Sequence, residues 1–300
     1  MKLKENPHIF AIFTILLWSS GFVFTRLALR YFTPLSLGFL RYAFASIPLI
    51  FFALFIKQKM PEKRDIKWFI LAGFFGFFSY MVTFNIGSVT ATASTCSLII
   101  ATSPVITTLL ARIFYKEKLK MIQYIAIIIE FTGVGVLTLL NGIFSINTGL
   151  IWLIIASVSL SIYNLVQRKL IKKYPAIQAT IFGIWFGTFL LMIFMPNSIA
   201  EIKTAPMIQI LYLIILGVFA SAVAFVSWTY ALSKAANIST VTNYMFITPF
   251  SVTLLGMLLA NETPDFATIC GGLIIMIGMF IYNFYGKIKR NKTAVFRNDA

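Results

Sequence analysis

Nine residues of this 300-residue chain are acidic, and eight of them fall between apolar runs or at their ends. The ninth, Glu130, stands inside one, in the stretch IAIIIEFTGVG. A helix over residues 121–140 puts it about nine residues deep, or ~14 Å at ~1.5 Å per residue. A charge placed there costs about 2.5–3.5 kcal/mol on insertion scales, so a cavity or an opposite charge should face it. Two readings stand. Glu130 binds a coupling proton or cation, or it is a structural carboxyl, neutral or paired with a basic group. Arg41 is the natural partner by depth, ~10 Å from the face against ~15 Å for Glu130. Such a pair would be a gate or static glue. Arg26, close to the end of the first run, is expected to snorkel to the interface.

Other polar and aromatic residues fall at mid-depth in apolar runs: Trp18, Tyr80, Asn85, Tyr163, Asn164, Trp185, Trp228, Asn243 and Tyr244. Buried amides must hydrogen-bond something, and aromatic faces suit flat or cationic organic molecules. These residues line a cavity or pack helices together. Trp68 and Trp152 lie at run ends and read as interfacial belt residues. Catalysis is not expected, because GxxxxGK[ST], HExxH and GxSxG are all missing. One His and two Cys (Cys96 and Cys270, both in apolar runs) make no metal site, triad or disulfide framework. No cofactor is expected.

The elements that must position these residues follow from composition. The chain is 59% hydrophobic and 11% charged, where globular chains carry roughly 25% charged residues. A bilayer core of about 30 Å takes about 20 apolar residues per helix. Ten runs satisfy this, at 8–30, 34–56, 68–87, 91–115, 121–140, 149–170, 175–195, 206–232, 238–260 and 264–286, with a loop at 196–205. The polar stretch 141–148 divides two halves, 8–140 and 149–286, and 287–300 is a basic, disordered tail. The first run is too long for a signal-peptide core and reads as a retained helix. A net charge of +16 does not signal nucleic acid, since the basic residues come in short clusters between runs. Twenty-one Lys and Arg fall on one side of the ten-helix arrangement and only Arg30 and Lys203 on the other. That asymmetry places both termini in the cytoplasm.

The halves also repeat. Shifting residues 95–117 by 145 superimposes Thr95, Pro104, Thr108, Leu109, Leu110 and Glu117 on Thr240, Pro249, Thr253, Leu254, Leu255 and Glu262, and Gly133 on Gly278. Five helices per copy is an odd number, so the copies insert upside down relative to each other. Inverted repeats are a hallmark of secondary transporters with a midplane site. Pro104 and Pro249 each remove a mid-helix hydrogen bond and read as hinges or cavity walls. Glu117 and Glu262 read as structural carboxylates at helix ends.

These features resemble the drug/metabolite transporter superfamily, specifically its ten-helix EamA-type permeases, over about residues 8–286. Trp18-Ser19-Ser20-Gly21-Phe22 is similar to the family's W-G-x-x-F, with Arg26 at its basic position. Pro34 followed by Leu40-Arg41-Tyr42 resembles its P-to-R-[FY] pattern. Pro104 and Glu117 match its fourth-helix P-to-G-E spacing, although Lys116 and Asn261 stand where Gly is usual. In the second half Ser159 and Phe182 replace the Trp and the Arg. The resemblance implies a metabolite or drug carrier, commonly an exporter. The expected partners are a small-molecule substrate such as an amino acid or related amphipathic compound, the lipid bilayer of the cell membrane, a coupling proton and, as a homodimer, a second copy. Competing readings are a non-transporting sensor or partner-binding subunit, and a channel.

Overall fold

The computed structural model describes residues 6–116, 119, 121–140, 148–234 and 243–298. All the secondary structure among them is helical. The order is α1 (Pro7–Ala28), α2 (Pro34–Phe55), α3 (Ile66–Gly73), a π-helical segment (Phe74–Ser79), α4 (Tyr80–Ser88), α5 (Ala93–Ala101), α6 (Ser103–Tyr115) and α7 (Met121–Leu140). The second half holds α8 (Thr148–Leu170), α9 (Ala176–Leu191), α10 (Met195–Lys203), α11 (Met207–Ile214), a second π segment (Ile215–Val223) and α12 (Ala224–Lys234). A 3-10 turn (Asn243–Ile247), α13 (Thr248–Ala260) and α14 (Phe266–Asn298) complete it. Among the described residues seven segments can cross a bilayer by length and composition, and Met121–Leu137, Thr248–Ala260 and Phe266–Tyr282 are shorter apolar helices.

The fourth expected run breaks at Thr102, so Pro104 is not mid-helix but in the first turn of α6. Pro249 occupies the same place in α13. A proline there leaves no donor missing, because the first turn has no intrahelical acceptor for it. Both helices end on a residue in the left-handed region, Lys116 and Asn261, each with φ 55°. This explains why Gly suits those two positions. The 145-residue shift carries Ser103 to Thr248, Tyr115 to Ala260 and Met121 to Phe266, so the repeat extends to element boundaries. The π segments begin 141 residues apart, at Phe74 and Ile215.

Two further expectations are corrected. Residues 196–205 are largely helical (α10), started by Pro196 in its first turn. The tail is not a separate disordered segment: α14 runs on to Asn298, because nothing between Gly286 and that residue breaks a helix and Lys and Arg favour one. Glu117, Lys118 and residues 141–147 and 238–242 lie outside the described residues, as do the roles expected of them.

Helices α7 and α14 run antiparallel in close contact. A Cβ on Gly133 would lie 2.7 Å from both Ile275 Cγ1 and Ile275 N and 2.8 Å from the Gly271 carbonyl oxygen. One on Gly278 would lie 2.5 Å from Glu130 Cγ and 2.9 Å from the Ala126 carbonyl oxygen. Subtracting 145 from Ile275, Gly271 and Gly278 gives Glu130, Ala126 and Gly133. Each helix therefore offers the other the same contact surface. Small residues let two backbones approach this closely.

Two predictions follow from this packing. Gly133→Ala must push backbone against backbone and should cost about 1–3 kcal/mol, while Gly135→Ala, which meets nothing within 4 Å, should leave the melting temperature in detergent unchanged. Lys116→Gly relieves a left-handed side-chain conformation and should stabilise by roughly 1 kcal/mol, read as a raised melting temperature.

Candidate functional site

At one end of the bundle the last turn of α1 carries Arg26. It does not snorkel outward. Its Nε donates to Glu262 Oε1 at 2.9 Å, and its Nη1 donates to the carbonyls of Ser88 and Val89 at the end of α4. A cation suits carbonyls left open at a helix C-terminus. Glu262 Oε2 in turn accepts from the Ala93 N–H at the start of α5, 2.7 Å away, where a carboxylate suits the free donors. Asn261, by ending α13, sets Glu262 in this position. Arg26 and Glu262 are 25% and 12% exposed, so the pair is largely withdrawn from solvent. It joins the two sequence halves.

A second carboxylate works similarly at this end. Glu201 at the end of α10 accepts from Thr33 N (3.0 Å), Thr33 Oγ1 (2.7 Å) and Ser36 Oγ (2.9 Å), capping α2 from the other half. The start of α9 is latched to the chain after α2. Lys173 pairs with Glu62 and Asp65 at 2.7 and 2.6 Å, the Tyr174 hydroxyl donates to Asp65, and Gln178 donates to the Lys59 carbonyl. The segment after each of these two equivalent helices thus holds the start of the other. A hydrogen bond from Lys173 keeps the Glu62 carboxyl below its usual range, and hydrogen bonds to Asp65 and Glu62 push Lys173 up to about 12. A lowered carboxyl stabilises above its unfolded pKa and loses that as pH falls through the folded value. A raised ammonium stabilises below its unfolded pKa and loses that as pH climbs through its folded one. Both contributions are flat across neutral pH, so this latch is not a pH sensor there.

Between the ends lies Arg41. Its Nε donates to Ser221 Oγ at 3.0 Å and its Nη1 to Thr25 Oγ1 at 3.4 Å. The expected ion pair with Glu130 is not formed. α7 packs along α14 rather than α2, so equal depth does not make the two residues neighbours. Glu130 is 1% exposed, against Gly278, and among the described residues neither carboxyl oxygen has a hydrogen-bond partner. Ser221, which the sequence reading missed, donates to the Leu216 carbonyl five residues back, within the π segment. Its only sequence signal is a hydroxyl in an apolar run.

The remaining candidates fall around this centre or away from it. Trp18 packs on Phe225 and Trp228, with ring centroids 5.6 and 5.1 Å away. Tyr80 stacks on Phe84, which meets Phe22 edge-on. Asn85 is buried and donates to the Pro34 carbonyl; among the described residues its Oδ1 has no partner. Tyr163 fills the space over Gly76 against Phe77, and Trp185 packs edge-on to Phe182, its Nε1 likewise without a partner among the described residues. Asn164 donates to Thr107 Oγ1, a helix-to-helix bond. The Tyr244 hydroxyl lies 3.0 Å from His8 Nδ1, tying α1 to the 3-10 turn. Asn243 opens that turn, and its side chain lies outside the described residues.

Long apolar helices held by polar contacts that cross between two halves define an integral, multi-pass membrane protein. The chain belongs to the EamA-like transporter family, which matches residues 6–139 and 147–284. It is 30% identical over 277 residues to the uncharacterized transporter YdfC of Bacillus subtilis, covering 92% of this chain and 90% of that one. It is 27% identical to a probable terminal-alkyne amino-acid exporter of Streptantibioticus cattleyicolor, over 91% of each chain. It is also 22% identical to a probable amino-acid metabolite efflux pump of Salmonella typhimurium, over 96% and 98%. A solved crystal structure, 16% identical, shares the fold with a TM-score of 0.62 over 94% of this chain and 99% of its own.

Cys96 tests the ionic closure. It is buried, with its Sγ 3.4 Å from Ser88 Oγ, beside the carbonyl that Arg26 binds. With Cys270 replaced by Ser, Glu262→Gln should speed labelling of Cys96 by an impermeant maleimide about tenfold, the effect of ~1.4 kcal/mol on a local opening. An unchanged rate shows that the pair does not close this end.

Proposed function

We propose that the chain is a secondary transporter, an exporter or exchanger of small organic metabolites such as amino acids or related amphipathic compounds. It sits in the cell membrane with ten spanning helices and both termini in the cytoplasm. Residues 8–140 and 149–286 are its two inverted five-helix repeats. The observation that carries this is the exchange of contacts between α7 and α14 under the 145-residue shift. Two equivalent helices that meet antiparallel through equivalent residues are what an inverted duplication produces. Such a duplication supports alternating access, because each half can adopt the other's conformation. The names of the relatives from S. cattleyicolor and S. typhimurium support the substrate class.

In this state the end bearing Arg26, Glu262 and Glu201 is the closed one. Opening it requires the Arg26–Glu262 pair to separate, while the helix breaks before Pro104 and Pro249 act as hinges. Glu130 is the coupling residue. The face of α14 across from it presents Gly271, Ile275 and Gly278, none titratable, and a proton is a ligand this carboxyl can take up without repacking.

Purified protein in liposomes should show counterflow of at least one labelled metabolite from an amino-acid panel. Specific binding without flux, in folded protein, favours a sensor or partner-binding subunit instead. Glu130→Gln should fold normally and transport, with the pH dependence of uptake abolished. If that dependence survives unchanged, Glu130 is structural.

A further inference from the structure

The guanidinium of Arg41 is held by two hydroxyls and by no acid. Ser221 Oγ and Thr25 Oγ1 fix its orientation, but hydroxyls do not neutralise a charge. Among the described residues no carboxylate forms an ion pair with it. A cation within an apolar bundle is unfavourable, which is why such residues ordinarily mark a ligand or ion path. Arginine has five N–H donors in a planar fork. The two hydroxyls engage Nε and Nη1, and Nη2 lies beside Gly21, 3.7 Å from where a Cβ would stand. Among the described residues Nη2 makes no hydrogen bond, so that edge of the fork keeps its donors.

The surroundings are aromatic. The Tyr42 ring centre is 6.0 Å from the guanidinium carbon. On α4 Tyr80 stacks on Phe84, which meets Phe22 edge-on, and Phe22 adjoins Gly21 on α1. The cation is supplied by α2, and its two anchors come from α1 and from the π segment of the other half. Any ligand on the fork is therefore held between the two halves. In the second half the position equivalent to Arg41 is Phe182, so the arrangement is not a by-product of duplication.

We infer that Arg41 is the docking point for a substrate carboxylate, and that the substrates are acids with an apolar or aromatic body. Amines that lack a carboxylate are excluded. This rests on the transporter reading for its use of the word substrate, but the binding site can be tested without it. The fork takes the carboxylate through the edge beside Gly21, Ser221 and Thr25 keep the fork oriented, and the aromatic side chains receive the body. An Arg–carboxylate contact is commonly two parallel charge-assisted bonds, which gives it directional selectivity.

The probes are L-phenylalanine, 3-phenylpropionate, L-phenylalaninamide and phenethylamine, which share one aromatic body and differ in the carboxylate and the amine. Thermal unfolding of the purified wild-type chain should be raised by the first two and not by the last two. If phenylalanine alone acts, the ligand is an amino acid; if both acids act, the carboxylate suffices; either result supports the site. Equal shifts with the acid and its amide, or no shift with either acid, overturn it. Arg41→Gln should weaken acid binding at least about tenfold, and Arg41→Lys should restore part of it, since an ammonium is a point charge and not a fork. The wild-type comparison of acid with amide stands even if the Arg41 variants do not fold. Binding of acids, lost in Arg41→Gln, together with no counterflow would keep this site and remove the transporter reading. Counterflow of phenethylamine that Arg41→Gln leaves unchanged would do the reverse.

Discussion

A polypeptide inside a bilayer must satisfy its backbone polar groups within itself, and this bundle is organised by where it meets that demand. Helix ends that face another helix receive a side chain from across the molecule. Arg26 takes the carbonyls at the end of α4 and Glu262 the donor at the start of α5. Glu201 does the same for α2. The two π segments, which loosen regular helical bonding, sit where α3–α4 and α11–α12 pack on other helices. One of them provides the hydroxyl that holds Arg41. Non-standard backbone in membranes is tolerated where protein covers it, and local π geometry is frequent at functional positions.

Polar contact and apolar packing divide the work between regions. The α7–α14 seam is made of glycines, aliphatic side chains and the buried Glu130, with the backbones in tight contact, a surface with one good fit and little tolerance. The contacts at the ends of α2 and α9 are hydrogen bonds and ion pairs that can break and re-form without repacking a core. The centre, around Arg41, holds a cation and aromatic rings. The bundle thus combines a tightly fitted seam, ends fastened by polar contacts and a charged middle.

Much of this was legible in the sequence. The repeat announced itself through Pro104, Pro249 and the acids that follow them, because proline and glutamate are rare enough in apolar runs for their spacing to be informative. The structure extends the repeat to helix boundaries. Other features were hidden for physical reasons. Depth along a helix is countable, but which helix lies alongside is not, and so Arg41 and Glu130 could be matched in height yet stand on helices that do not pack together. The left-handed ends at Lys116 and Asn261 carry no glycine to advertise them. The π segments leave no trace because FFGFFS and ILGVFASAV read as ordinary apolar sequence. Arg26 could be placed near an interface, but its acid partner is 236 residues away.

The two ends of the bundle differ in how they are fastened. The Lys173 cluster is open to water, with Lys173 and Glu62 38% and 50% exposed, whereas Arg26 and Glu262 are mostly covered and Glu201 holds Thr33 and Ser36 by hydrogen bonds. Mobile ions weaken exposed pairs far more than covered ones. Electrolyte in the medium therefore loosens the Lys173 face of the molecule and leaves the opposite face fastened.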